Sequence, residues 1–329
     1  MLALVAVPVM MAAIGALYER RAVARDAQRF PPPAQLVDVG GRRLHLDCIG
    51  SGSPIVIFEV SGFSNSTSYR VARSAIANHA RVCIYDRMGI GWSDPGPAAI
   101  SAGMLAEDLR RLQDAAGLQP PFIIVPGSIG GLTAEMFARR YPERVAGLVF
   151  LDAANSEALV SDPRGRALFG NAFNRALAAA ACGTVAVAGR TGLMRLLDPW
   201  NQRVSEETAR SAALMYGAKP WVMLCAMVRG ARTTLNEFEE APPLRAGIPV
   251  TVLSAATREG MLPPKLARLL QIDAVSVPPS LSETHQHLAE RSSHGRWQIV
   301  PGSDHLIASS RPQAVVDAVV ELLAYVRGT

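Results

Sequence analysis

Residues 122–131 read Phe122-Ile123-Ile124-Val125-Pro126-Gly127-Ser128-Ile129-Gly130-Gly131. Four apolar residues make a short buried strand, a Pro-Gly-Ser stop interrupts it, and Gly131 to Tyr141 continue at helical spacing. The serine therefore sits on a tight turn between a strand and a helix. Glycines after it let the two elements pack closely, and the helix N-terminus favours negative charge beside the hydroxyl. A serine among glycines is by itself a common turn, so the surroundings decide its meaning.

Working outward, the same alternation recurs. Leu36–Val39 and Arg43–Asp47 alternate with period two around Gly40-Gly41 and predict a hairpin. Continuous apolar runs follow at Pro54–Glu59, Arg81–Tyr85, Val145–Leu151, Ile248–Leu253 and Arg296–Val300. Amphipathic stretches lie between them at Ala102–Ala116 and Gly131–Tyr141, and Pro312–Val326 closes the chain as a helix. Strand, turn and helix in repetition predict an α/β fold, a mostly parallel sheet covered on both faces. In such sheets sites collect at the carboxyl ends of the strands, where Ser61-Gly62, Asp86–Asp94, Pro126-Gly127-Ser128 and Asp152 fall. After Asn155 the strand rhythm stops for about ninety residues of Ala/Leu/Met/Arg-rich helical sequence, which reads as an insert in one sheet.

The 125–131 segment resembles the G-x-S-x-G nucleophile elbow of the α/β-hydrolases, with Pro126 standing for the first glycine. The resemblance extends through Leu132-Thr133-Ala134-Glu135 to Tyr141-Pro142-Glu143-Arg144 and Val145–Asp152, similar to the helix and sixth strand of that family. Tyr85-Asp86-Arg87-Met88-Gly89-Ile90-Gly91-Trp92-Ser93-Asp94 resembles its loop after the fourth strand. The likeness implies an α/β-hydrolase fold, a mostly parallel eight-stranded sheet with an inserted helical cap. The expected organisation is an N-terminal segment over 1–18, a linker over 19–35, core over 36–154, cap over 155–246 and core again over 247–329.

A serine hydroxyl is a weak nucleophile and needs a base within hydrogen-bond reach, itself oriented by an acid. His305, in Pro301-Gly302-Ser303-Asp304-His305 between the last predicted strand and the last helix, stands where the resemblance places the family's histidine. Two acids compete on the same grounds: Asp152 at the end of the sixth strand and Glu259 after the seventh. The oxyanion donors implied are the backbone N–H groups of Ile129, next to the nucleophile, and of Phe63, in Ser61-Gly62-Phe63 where the family carries His-Gly-x. A serine rather than an aspartate at the elbow points to attack on a carbonyl. The reading is a carboxylesterase or lipase-like serine hydrolase acting on a small hydrophobic acyl substrate. An amidase, peptidase or C–C bond hydrolase on the same residues, and a hydrolase-fold binding protein with weak catalysis, remain as alternatives. In the insert, Met194, Met215, Met223 and Met227 with Trp200 and Trp221 suit either packing or an apolar pocket.

No cofactor is implied, and His285 and His287, read as lying on a polar helix face, lack the further ligands a metal needs. The chain has 33 Lys+Arg against 28 Asp+Glu, and only Lys219 and Lys265 are lysines. No basic run is interleaved with aromatics, so nucleic acid is not an expected partner. The four cysteines, Cys48, Cys83, Cys182 and Cys225, form no CxxC pair; they read as buried thiols, with a Cys182–Cys225 bridge the alternative outside the cytosol. Leu2–Leu17 carry no charge, and Arg20, Arg21, Arg25 and Arg29 follow against Glu19 and Asp26. The expectation is a single-pass membrane anchor with a cytoplasmic body, with an export signal or a helix packed on the body as alternatives. Pro31-Pro32-Pro33 would then act as a stiff spacer. The sequence leaves the oligomeric state open.

Overall fold

Continuous apolar runs become the centre of one sheet because both of their faces are covered. The structure, a computed structural model, describes residues 2–62, 64–161, 172–197, 206–257, 259 and 279–328. The strands are β1 (Gln35–Asp38), β2 (Arg43–Ile49), β3 (Ile55–Glu59), β4 (Val82–Tyr85), β5 (Phe122–Pro126), β6 (Val145–Leu151), β7 (Val250–Ala255) and β8 (Gly295–Val300). They form one eight-stranded sheet in the order β1-β2-β4-β3-β5-β6-β7-β8. β2 pairs antiparallel with β1 and β4, and all the pairings from β4 to β8 are parallel. The β1–β2 hairpin turns at Gly40 and Gly41, whose φ angles of 97° and 90° are left-handed values that favour glycine.

The helices among the described residues are α1 (Leu2–Arg29), α2 (Arg70–Ile76), α3 (Ala102–Ala115), α4 (Gly130–Arg140), α5 (Ser156–Ser161), α6 (Ala172–Arg190), α7 (Leu193–Leu197), α8 (Glu206–Tyr216), α9 (Ala218–Glu240), α10 (Pro279–Glu290), α11 (Ile307–Ser310) and α12 (Pro312–Gly328). Successive strand residues feed opposite cores. Phe122 and Ile124 join Leu105, Leu109 and Phe137 of α3 and α4 on one side, while Ile123 and Val125 join Ile76 of α2 and Val315 and Val319 of α12 on the other. This period-two division of an unbroken apolar run is what a parallel strand between two helical layers requires. Between β6 and β7 the described chain is helical, from α5 to α9.

Two expectations are corrected. The cysteine pair that bonds is Cys48–Cys83, with Cys182 and Cys225 free. The antiparallel register of β2 and β4 sets Cys48 directly opposite Cys83, a proximity that their separation of 35 residues conceals. The second correction concerns the N-terminus. Among the described residues no single helix is long and apolar enough to cross a membrane. The helix does not stop where a linker was expected but runs to Arg29, and its second half is docked on the body. Arg195 of α7 holds Glu19 through Nε at 3.0 Å and Asp26 through Nη1 at 2.7 Å. Gly15 lies so close to the α6–α7 turn that a Cβ there would meet the Thr191 carbonyl at 2.6 Å.

Candidate active site

The turn after β5 has the conformation that a nucleophile elbow needs. Ser128 has φ 51°, a left-handed value rarely held by a residue with a side chain. The sheet holds it there: Gly127 N–H donates to Glu59 O at 3.0 Å, Ser128 N–H to Leu151 O at 3.2 Å, and Ala154 N–H to Ser128 O at 2.9 Å. Pro126, which lacks an N–H, does not disturb this geometry, since Gly127 and Ser128 carry the flanking ladder bonds. Gly127 is required by what lies over it, for a Cβ would come within 2.5 Å of Tyr69 Oη and 2.8 Å of Ser61 Oγ. Ser128 is half-buried at the carboxyl edge of the sheet.

His305 lies between β8 and α11, with its N–H bound to Glu259 O at 2.9 Å. Its Nε2 is 2.9 Å from Ser128 Oγ, and its Nδ1 is 2.6 Å from Asp152 Oδ2. A carboxylate only accepts, so Nδ1 carries the proton and Nε2 is left to accept from the serine hydroxyl. Asp152 itself has φ 43°, is anchored by its N–H to Leu253 O at 2.7 Å, and accepts Ala255 N–H on Oδ1 at 3.0 Å. Burial opposes its charge, but the His305 hydrogen bond and charge, the Ala255 N–H and His285 outweigh it and hold the carboxyl below its ordinary value. The structure thus brings Asp152, His305 and Ser128 together. Glu259 contributes its backbone carbonyl, and the residue is exposed.

His285 does not lie on a polar face, and its environment corrects that expectation. It is fully buried, with Nε2 3.0 Å from Ala153 O and Nδ1 2.7 Å from Ser254 Oγ, which also accepts Trp297 Nε1–H at 2.9 Å. Because a carbonyl accepts, Nε2 carries the proton; burial lowers the pKa, so the ring is neutral and Nδ1 accepts the Ser254 hydroxyl proton. A directed chain runs from Trp297 through Ser254 and His285 to Ala153, one residue beyond Asp152. The signal that finds it is the packing of α10 on β7, which no local pattern reveals. His287 is exposed and pairs with Glu157 at 2.7 Å. Among the described residues no cluster of His, Cys, Asp and Glu is arranged to hold a metal.

Ile129 ends the elbow immediately before α4, where helix N–H groups lack intrahelical partners. Phe63 lies outside the described residues, but Ser61 is held on three sides. Arg87 Nη2 donates to Ser61 O at 2.7 Å, and Tyr69 Oη accepts Ser61 N–H at 3.1 Å and pairs with Ser61 Oγ at 2.7 Å. Arg87 is in turn fixed by Glu59 Oε1 at 3.0 Å, and Tyr85 Oη donates to Glu59 Oε2. Burial raises the Glu59 carboxyl to about 7 against the pull of Arg87. Read from sequence, Glu59 was only the end of a strand. Beside Ile129 is an apolar slot of about 80 Å³ lined by Leu132, Leu224, Met227 and Val228, among others. Met215, Met223 and Trp221 are instead packed and buried, and Trp200 lies outside the described residues.

The family model for the alpha/beta hydrolase fold matches residues 54–219, just over half of the chain. This chain belongs to the α/β-hydrolase fold family. A Gibberella zeae protein named as an AB hydrolase superfamily protein is 30% identical to this hydrolase-fold chain over 106 residues, 30% of this chain and 32% of its own length. The curated relatives it matches first are spanned only in part, over 15%, 42% and 18% of their lengths. Among solved structures, an esterase from Thermogutta terrifontis superposes with TM-score 0.59 at 20% identity, covering 88% of this chain and 97% of that one. The enol-lactonase from Burkholderia xenovorans LB400 gives TM-score 0.57 at 18% identity, covering 88% and 100%. At those identities the likeness is one of fold.

Proposed function

We propose that this α/β-hydrolase is a serine hydrolase that cleaves a carboxylic ester, or a related acyl bond, of a small hydrophobic substrate through an acyl-enzyme. The observation that carries the reading is His305 bridging Ser128 Oγ at 2.9 Å and Asp152 at 2.6 Å. In the proposed sequence Ser128 Oγ attacks the carbonyl carbon while His305 Nε2 takes its proton, and Asp152 stabilises the imidazolium. The tetrahedral oxyanion is received by the N–H groups of Ile129 and Phe63. His305 then gives its proton to the departing alkoxide, and a water activated by the same nitrogen releases the acid. Arg87 and Tyr69 fix Ser61, so the loop that carries the second proposed donor starts from a buried scaffold. The slot beside Ile129 fits a short acyl group, and α5 to α9, inserted between β6 and β7, serve as the cap. An aspartate nucleophile, as alkyl-carbon displacement requires, is absent at Ser128's position.

A fluorophosphonate probe is expected to label Ser128 stoichiometrically, and short p-nitrophenyl esters are expected to be hydrolysed. Folded wild-type protein that neither reacts with the probe nor differs from Ser128→Ala on these esters overturns the proposal.

A further inference from the structure

A cavity larger than the slot beside Ile129 lies elsewhere in the described molecule. It encloses about 680 Å³ between α1, the loop after β4 and the α8–α9 junction, and none of Ser128, Asp152, His305 or Ile129 lines it. That volume is in the usual range for a small-molecule site. One wall is a single face of α1, where Ala16, Glu19, Arg20, Val23, Asp26 and Ala27 recur at steps of three and four, with Phe30 directly after the helix. Trp92, Ala213, Leu214 and Pro220 supply apolar surface opposite.

The charges at this cavity are unequal in their availability. Glu19 and Asp26 are both consumed by Arg195. Lys219 is largely spent on the backbone, its Nζ donating to Gly91 O at 2.5 Å and Ser93 O at 2.9 Å. Arg20 and Arg190 line the same cavity and make no ion pair with an acid among the described residues. An apolar chamber whose uncommitted charges are two guanidinium groups is complementary to an amphiphile with an anionic head.

We infer that the chamber between α1 and the α8–α9 junction binds a long-chain carboxylate, with its chain against Val23, Phe30, Trp92 and Leu214 and its head at Arg20 and Arg190. This site is separate from Ser128 and does not depend on the chemistry assigned there.

The test uses the full chain and an environment-sensitive fluorescent fatty acid as probe, displaced by palmitate. Saturable binding of one equivalent is expected, persisting after Ser128 has been blocked with a fluorophosphonate. Hexadecanol is expected to displace the probe at least tenfold less well than palmitate. Ala213→Trp, which fills the chamber, is expected to weaken binding tenfold or more while leaving short-ester hydrolysis unchanged. Arg20→Gln with Arg190→Gln is expected to abolish the preference for carboxylate over alcohol. Loss of binding on blocking Ser128 assigns the probe to the acyl slot and overturns the inference, as does binding indifferent to Ala213→Trp. The Ala213→Trp comparison needs no reaction at Ser128, so failure of the probe there and failure of the chamber are separate results.

Discussion

Replacing Asp152 by Asn tests which carboxylate serves His305. Asp152, itself only 4% exposed, has Oδ2 2.6 Å from His305 Nδ1. When the ring becomes an imidazolium, the two charge centres are about 4 Å apart. At an effective dielectric constant of about 20 that attraction is about 4 kcal/mol, or roughly 10³-fold in the rate of the acylation step. Asn also offers an N–H where Nδ1–H needs an acceptor, which turns the ring toward the wrong tautomer and adds to the loss. The second-order rate of Ser128 labelling by a fluorophosphonate reads this step without a choice of substrate, and circular dichroism establishes that the variant is folded. Asp152→Asn is expected to fall by about 10³-fold or more, whereas Glu259→Gln stays within about twofold, because Glu259 serves His305 through its backbone carbonyl. A Glu259→Gln loss comparable to that of Asp152→Asn, or a folded Asp152→Asn that labels at the wild-type rate, refutes the assignment.

Gly127→Ala places a methyl group within 2.5 Å of Tyr69 Oη and 2.8 Å of Ser61 Oγ. A destabilisation of about 1–3 kcal/mol by urea unfolding is expected, together with slower labelling of Ser128 as Ser61 is displaced. Glu59 predicts a pH dependence of stability. Its folded carboxyl is raised to about 7 from 4.5, so its contribution is fully present below pH 4.5 and is lost as the pH rises through 7, a change on the order of 3 kcal/mol. Glu59→Gln removes that titration, so the stability of wild type relative to the variant is expected to fall between pH 4.5 and about 7 and then level off; a difference that is flat or rises with pH contradicts the assignment.

What was legible in the sequence was local. Each parallel strand announced itself as a continuous apolar run, the elbow as a serine between such a run and a helix, and His305 by its place between β8 and the last helices. The acid was ambiguous because Asp152 and Glu259 both stand at carboxyl ends of neighbouring strands, and only the placement of His305 against Asp152 shows which carboxyl group meets the ring. His285 was misread because helical periodicity shows which residues share a face of α10 but not that this face packs on β7. Cys48 and Cys83 were paired by strand register, which hydrophobic patterning leaves open. The apolar run at the N-terminus is a related case: its composition describes residues 2–17, whereas the docking of the helix's second half rests on Glu19 and Asp26, whose partner Arg195 lies far along the chain.

The two strained residues of the site explain each other. Ser128 and Asp152, with φ of 51° and 43°, end adjacent parallel strands, β5 and β6. Left-handed backbone at a residue with a side chain costs of order 1–3 kcal/mol, so neither conformation persists without constraint from outside. Ser128 N–H is held by Leu151 O, the residue immediately before Asp152, and Ser128 O accepts from Ala154, two residues after it. Asp152 is held in turn by Leu253 on β7 and by Ala255 N–H on its carboxylate. The strain of each is thus borne by the neighbouring strand, and the sheet holds Ser128 and Asp152 relative to one another. His305 is the only one of the three delivered by a loop, and that loop is itself tied back, His305 N–H to Glu259 and Ser303 Oγ to Val300 and Ala256. In the proposed mechanism the sheet therefore sets the placement of Ser128 and Asp152, and proton transfer falls to the histidine between them.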